Sequence, residues 1–248
     1  TKELIENSID AYATAIEIRI FSGGLESVEV IDNGKGIRSE HYGDVAARYT
    51  TSKLSELDDL SRIESFGFRG EGLNSLCSVA KVTITTRTAN DATAACLTFD
   101  EQGRLLSQVP VTGGIGTTVK FSDLFHSLPV RRKDLEKNQK KEASKLLSLI
   151  QSYAIICSQT SFTVSQINSK GERTKVLFTP GKGGLDVSLT AIFNKRFMTN
   201  LMAFEARVHD TREVKVSGYI SVNDSKACKT SAAQQYLFLN GRPVDLPK

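Results

Sequence analysis

Apolar positions along the chain follow two rhythms, and the changes from one to the other mark its elements. From Glu3 to Tyr12 they recur at three- and four-residue steps. This predicts a helix that packs through Leu4, Ile5, Ile9 and Tyr12 and carries Glu3, Asn7 and Asp10 on one polar face. Ile16, Ile18 and Ile20 then alternate with Glu17, Arg19 and Phe21, and Gly23-Gly24 turns the chain into a second alternating run around Val28 and Val30. The expectation is helix, strand, hairpin, strand. A short helix is predicted from His41 to Tyr49. A polar, glycine-bearing stretch follows, then an apolar helical run through Leu73, Leu76 and Val79.

Strands are predicted over Lys81 to Thr88 and Ala95 to Asp100, and again where Gly113-Gly114-Ile115-Gly116 leads into Thr117-Thr118-Val119. From Leu128-Pro129 one long helix carries Leu135, Ala143, Leu146, Ile150 and Tyr153 at helical steps, with proline near its start. FTVSQIN and RTKVLFT make a hairpin around Lys170-Gly171. Thr179-Pro180-Gly181-Lys182-Gly183-Gly184 is the strongest linker, which divides the chain into 1–180 and 181–248. The second part reads as a helix from Leu185 to Phe193, strands from Glu213 to Val222 and Gln235 to Leu239, and a turn at Asn240-Gly241-Arg242-Pro243.

At 248 residues the chain suits one large domain or two ordinary ones. Cys77, Cys96, Cys157 and Cys228 have neither paired spacing nor metal-ligand spacing with His41, His126 or His209, which predicts reduced thiols, an intracellular setting and no structural zinc. The longest apolar run, Leu146 to Cys157, is broken by Ser148, Gln151 and Ser152 and falls short of the ~20 residues a membrane span needs, so no membrane partner is expected. Thr1 falls in mid-helix pattern and Lys248 just after a strand-like segment, so both ends are expected to be cuts within a longer protein. The net charge of +4 is uninformative, but its distribution is not: residues 1–60 hold twelve acids against six bases, and 131–145 hold seven bases against three acids.

The chemistry gathers near the start. Asp32 ends a strand and is followed by Gly34 and Gly36, which allow a backbone to approach a planar ligand; an adenine would offer its exocyclic amine to the carboxylate. Asn7 can complete a Mg2+ shell alongside phosphate oxygens and water, and Glu3, one turn away, can orient or deprotonate a water. Glycines at 67, 70 and 72 open a helix, where free N–H groups and the positive end of the helix dipole suit phosphate. Neither a Walker loop nor a dinucleotide fingerprint occurs. Taken singly, a Glu-x-x-x-Asn helix face also describes solvated surface and an Asp-Asn-Gly run an ordinary turn. The basic run at Arg131, Arg132 and Lys133 is read either as a solvated helix face or as a contact with DNA phosphates. With no aromatics interleaved, it does not indicate base stacking.

In order along the chain, ELIENSIDA, DNGKGI, TSK, GFRGEGL, GTT, LPVRRK and NGRP resemble the GHKL ATPases, and within them the MutL mismatch-repair proteins. FGFRGE followed by LNSLC, with LFHSLPVR, is most similar to the Pms-type homologues. The resemblance implies an α+β two-layer sandwich of the GHKL (Bergerat) fold followed by a smaller, ribosomal-protein-like β-α-β transducer domain. It implies ATP and Mg2+, with Glu3 as the catalytic residue, Asn7 at the metal, and Asp32 and Thr117 at the adenine. Lys53 and the amides around Gly70, Glu71, Gly72 and Leu73 would hold the triphosphate beneath a closing lid. Two departures stand out: Gly72 where the family carries alanine, and Tyr12 where most relatives carry a small residue. The implied activity is ATP hydrolysis driving N-terminal dimerisation into a DNA clamp in the nucleus, with an Mlh-type homologue as heterodimer partner and MutS-type proteins upstream. The alternatives are another GHKL ATPase, such as a topoisomerase subunit or a chaperone, and a DNA-binding module without catalysis.

Overall fold

The computed structural model describes residues 1–48, 71–209, 213–222 and 235–244. The alternating runs form strands: β1 (Ala15–Phe21), β2 (Ser27–Asp32), β3 (Lys81–Arg87), β4 (Ala94–Phe99), β5 (Leu105–Val111), β6 (Gly116–Ser122), β7 (Ser161–Ile167) and β8 (Arg173–Pro180). Among the described residues these eight make one mixed sheet in the order β5-β4-β3-β6-β2-β1-β7-β8. β1 and β7 run parallel, while the other neighbours are antiparallel.

One face of the sheet is apolar because the side-chain period of a strand is two. Ile16, Ile18, Ile20, Val28, Val30, Ile84, Leu97, Val119, Phe162 and Val164 point to it and are buried. Helices cover them: α1 (Lys2–Asp10) with Leu4 and Ile5, and α4 (Gln139–Ile156) with Ile150, Tyr153 and Ala154. Each fully buried Ile, Leu or Phe contributes on the order of 1.5–3 kcal/mol. The opposite face carries a ladder of charges in which Glu17 meets Arg19 and Arg173, both at 2.6 Å, and Glu29 meets Lys120 at 3.3 Å. This is the α+β sandwich the family resemblance implies.

Five features depart from the sequence expectation. α1 ends at Asp10, and Tyr12 lies at φ +60 and is 81% exposed, so it packs against nothing on the apolar side. The helix expected from His41 is a single 3-10 turn, Ser39–His41, followed by turns; Gly43 and too few apolar positions leave a full helix unsupported. The long helix from Leu128 breaks at Asn138 into α3 (Pro129–Lys137) and α4, where the Asn138 side-chain amide donates to the Asp134 carboxylate at 2.8 Å and to the Asp134 backbone carbonyl at 3.2 Å. β5 was not foreseen, because it is an edge strand, largely exposed and interrupted by Pro110, and lacks a clean alternation. β9 (Leu201–His209) was also missed; it pairs with β10 (Glu213–Ser221).

Beyond β8, α5 (Leu185–Phe193) packs against β8 and α4, and α6 (Lys195–Met198) follows it. β9 with β10, and β11 (Leu237–Leu239) with β12 (Arg242–Val244), form separate two-stranded pairs, so a β-α-β unit is not shown among the described residues.

Candidate functional site

Strand register assembles the site. β2 pairs with β6 so that Asp32 faces Thr117, and β6 pairs with β3 so that Thr117 faces Thr86. One step further along the same face stand Val30, Val119 and Ile84. A row of polar groups therefore borders an apolar floor, and above it opens a cavity of about 920 Å³ lined by residues of α1, β2, β3, β6 and the start of α2 (Gly72–Cys77).

Asp32 is held by three donors. Its Oδ1 accepts the backbone N–H of Gly34 at 2.9 Å and of Thr117 at 3.2 Å, and its Oδ2 accepts the Ser8 hydroxyl at 2.9 Å. Burial pushes its carboxyl above the ordinary value, and the three donors act in the opposite direction. Ser8 and Thr86 escaped the sequence reading. A serine amid the apolar residues of α1 was the available signal for the first. Thr86 lies behind the cavity, where its hydroxyl accepts Ile37 N–H at 2.9 Å, meets the Gly116 carbonyl at 3.1 Å, and stands 3.1 Å from the Thr117 hydroxyl.

Of the glycines after Asp32, Gly36 lines the cavity and Gly34 does not, and both serve the protein's own backbone. A Cβ on Gly34 would lie 2.7 Å from the Ala11 carbonyl, and one on Gly36, at φ +73, would lie 2.2 Å from the Arg87 carbonyl. Between them Lys35 N–H donates to Ala11 at 3.0 Å, and Asn33 Oδ1 accepts Thr14 and Ala15 N–H, both at 2.9 Å. The motif thus ties the end of β2 to the end of α1.

Glu3 and Asn7, one turn apart on α1, both line the cavity, as do Gly36, Gly72, Leu73 and Thr117. Glu71 sits at the N-cap of α2, exposed and outside the lining. Lys53 and Gly70 lie outside the described residues. Asn74 anchors the start of α2, donating to the carbonyls of Ala46 at 2.9 Å and Gln102 at 2.7 Å and accepting Arg48 Nε at 3.0 Å. The described walls carry Glu3, Asp10, Asp32 and Asp44 against Lys35 and Arg38.

Arg131, Arg132 and Lys133 stand apart from the cavity on α3. Arg131 lies over the Phe125 ring at 5.9 Å, Arg132 donates to the Leu124 carbonyl and to Glu136, both at 3.0 Å, and Lys133 is exposed. Among the described residues no His, Cys, Asp and Glu side chains group as a metal site, and no helix is long and apolar enough to cross a membrane.

Residues 1–108 match the family of histidine kinase-, DNA gyrase B- and HSP90-like ATPases. The chain is 40% identical over 247 residues to the DNA mismatch repair protein PMS1 of Arabidopsis thaliana, covering 100% of this chain and 26% of that protein. It is 35% identical over 262 residues to the mismatch repair endonuclease PMS2 of Mus musculus, covering 100% of this chain and 30% of that protein. It therefore spans less than a third of these curated relatives. Among solved structures it resembles the N-terminal domain of a DNA repair protein, with TM-score 0.88, 36% identity, and 99% and 73% of the two chains covered. It also resembles the ADP-bound MutL ATPase domain of Aquifex aeolicus, with TM-score 0.67, 26% identity, and 99% and 81% covered.

Proposed function

Because the chain belongs to the MutL family of DNA mismatch-repair proteins, on its Pms-type branch, we propose that its cavity binds ATP and hydrolyses it to ADP and phosphate. One observation carries this: a half-buried carboxylate at a strand end and a Glu–Asn pair on a helix face open into the same cavity of about 920 Å³, a size in the range of nucleotide and drug-sized sites.

In this function Asp32 accepts the exocyclic amine of adenine, Thr117 adds its hydroxyl, and Val30, Ile84 and Val119 receive the plane of the base. Glu3 is the general base, which takes the proton of the attacking water. The acidic walls fit a divalent cation: Asn7 would supply an oxygen to Mg2+, which neutralises the phosphates when bound. Lys53 and the N–H groups of Gly70, Glu71, Gly72 and Leu73 hold the triphosphate beneath a lid assigned to Tyr49 to Leu73, of which residues 49–70 lie outside the described residues. Residues 1–180 form this ATPase unit, and 181–248 begin the smaller β-α-β transducer unit, joined to the first by the contact of α5 with β8.

Nucleotide binding drives N-terminal dimerisation with an Mlh-type homologue, making a clamp that works in the nucleus with MutS-type proteins. α3 offers Arg131, Arg132 and Lys133 to DNA phosphates, without reading sequence. The test is phosphate release from ATP with Mg2+ and with a chelator, together with association state in the presence of a non-hydrolysable ATP analogue. Mg-dependent hydrolysis and analogue-driven association are expected. A protein that binds no ATP would overturn the proposal.

A further inference from the structure

α1 carries a third acid that the hydrolysis described above does not use. Glu6 sits three residues after Glu3 and next to Asn7, yet it is only 6% exposed, inside the layer where α1 meets α4. The hydroxyl of Tyr153, a residue of α4 that is 1% exposed, donates to Glu6 Oε1 at 2.5 Å across 147 residues of sequence. Burial and the adjacent carboxylate both push the Tyr153 phenol well above its ordinary value, so it keeps its proton and acts as a donor. Lys2 adds a distant charge at 3.9 Å. A carboxylate at this depth is retained only where it is hydrogen-bonded, and this bond spans the helix that holds the catalytic pair.

Successive helical residues are turned by about 100°, so fixing Glu6 against α4 fixes the direction in which Glu3 and Asn7 project. A second fastening is the Ser8–Asp32 hydrogen bond, which ties the same helix to the adenine side of the cavity. α1 is therefore anchored on both sides of the polar stripe that faces the cavity. We propose that Tyr153 is a positioning residue for hydrolysis: through Glu6 it sets the rotation of α1, and with it the aim of Glu3 and Asn7 at the phosphate end of the nucleotide. This rests on the ATPase function proposed above.

The experiment compares the full protein with its Tyr153→Phe, Glu6→Ala and Glu6→Gln variants and with the double variant Glu6→Ala/Tyr153→Phe. It measures ATP affinity, kcat, and folded fraction at the assay temperature. Tyr153→Phe is expected to lower kcat about tenfold and to move ATP affinity less than about twofold, because the contacts at Asp32 are untouched. Glu6→Gln, whose amide oxygen still accepts the phenol, should retain kcat within about threefold. Glu6→Ala should match Tyr153→Phe, and the double variant should be no worse than either. Unchanged kcat in Tyr153→Phe beside an active wild type would overturn the positioning role. So would losses of kcat and affinity that both track a reduced folded fraction. A wild type that neither binds nor hydrolyses ATP would remove the ATPase function itself, and this role with it.

Discussion

Gly72, the first residue of α2, lies against the side chain of Glu3, so that a Cβ at 72 would stand 3.0 Å from Glu3 Cγ and 3.2 Å from its Oε2. The proposed base is thus bordered by a glycine that opens α2. Gly72→Ala gains helix stability of about 0.5–1 kcal/mol and asks an exposed glutamate side chain to shift by a few tenths of an ångström. The expected result is a melting temperature about 1–4 °C higher with kcat reduced no more than about threefold. A tenfold loss of kcat would show that Glu3 has no room to move.

Glu3→Ala should keep ATP binding and lose turnover by about 10²–10⁴, the usual contribution of a positioned general base. Equilibrium binding and single-turnover rates, measured on the same preparation, separate the two effects. Turnover equal to wild type would remove Glu3 from the chemistry.

Asp32→Asn should weaken ATP binding by about 10–100-fold, because an amide keeps the bonds from Gly34 and Thr117 but can turn its donor toward the adenine amine. The pH dependence has a definite sign. The folded-state pKa of Asp32 is raised, so its carboxyl takes up a proton at a higher pH than an ordinary aspartate, and acidification through that value should weaken ATP binding. Its contribution to stability runs the other way, falling as pH rises through the same window, since the folded state there binds more protons than the unfolded. Titrations of affinity against pH should show the acidic loss in wild type and a flatter profile in Asp32→Asn.

The three basic residues of α3 should separate by role. Arg132 is engaged with Leu124 and Glu136, so Arg132→Ala should cost about 1 kcal/mol of stability. Arg131→Ala, Arg132→Ala and Lys133→Ala should each flatten the dependence of log DNA affinity on log salt by roughly 0.9, with the stability loss confined to Arg132→Ala. Duplex binding at several salt concentrations, with thermal melts alongside, checks both expectations. An unchanged slope for all three would return α3 to ordinary solvated surface.

Tyr12 occupies φ +60, a conformation costing an L-residue roughly 1–2 kcal/mol. Among the described residues its ring gives back only an exposed contact with Lys35 Nζ at 5.5 Å. Tyr12→Gly should therefore raise stability by up to about 1 kcal/mol after the entropy a glycine adds to the unfolded chain. Chemical denaturation measures it, and a destabilised variant would mean that Tyr12 makes a contact its exposure does not suggest.

Periodicity was enough to locate α1, the central strands and the long helical stretch, because each buries one side and repeats cleanly. It failed where burial is weak. β5 is exposed along most of its length, so nothing made its residues alternate, and α3 parts from α4 at an asparagine whose side-chain bond has no apolar signature. Glu3, Asn7 and Asp32, which line the cavity, were readable from residue type and spacing, and Thr117 only from the family resemblance. Ser8, Thr86 and Glu6 were not, because each acquires its role from a partner far along the chain. Asp32 lies 24 residues from Ser8, and Tyr153 lies 147 from Glu6.

The parallel pairing of β1 with β7 also governs how the molecule can be made. Ile16 aligns with Phe162 and Ile18 with Val164, so the strand that follows α1 has no partner on one side until residues 161–167 have been synthesised. Closing a loop of that length precedes the contacts that reward it, which slows folding and leaves Leu4, Ile5 and the β1 isoleucines uncovered meanwhile. Substitutions in β7 or at the end of α4 should therefore register first as slower maturation and greater demand for chaperones, even where the finished cavity is unaltered.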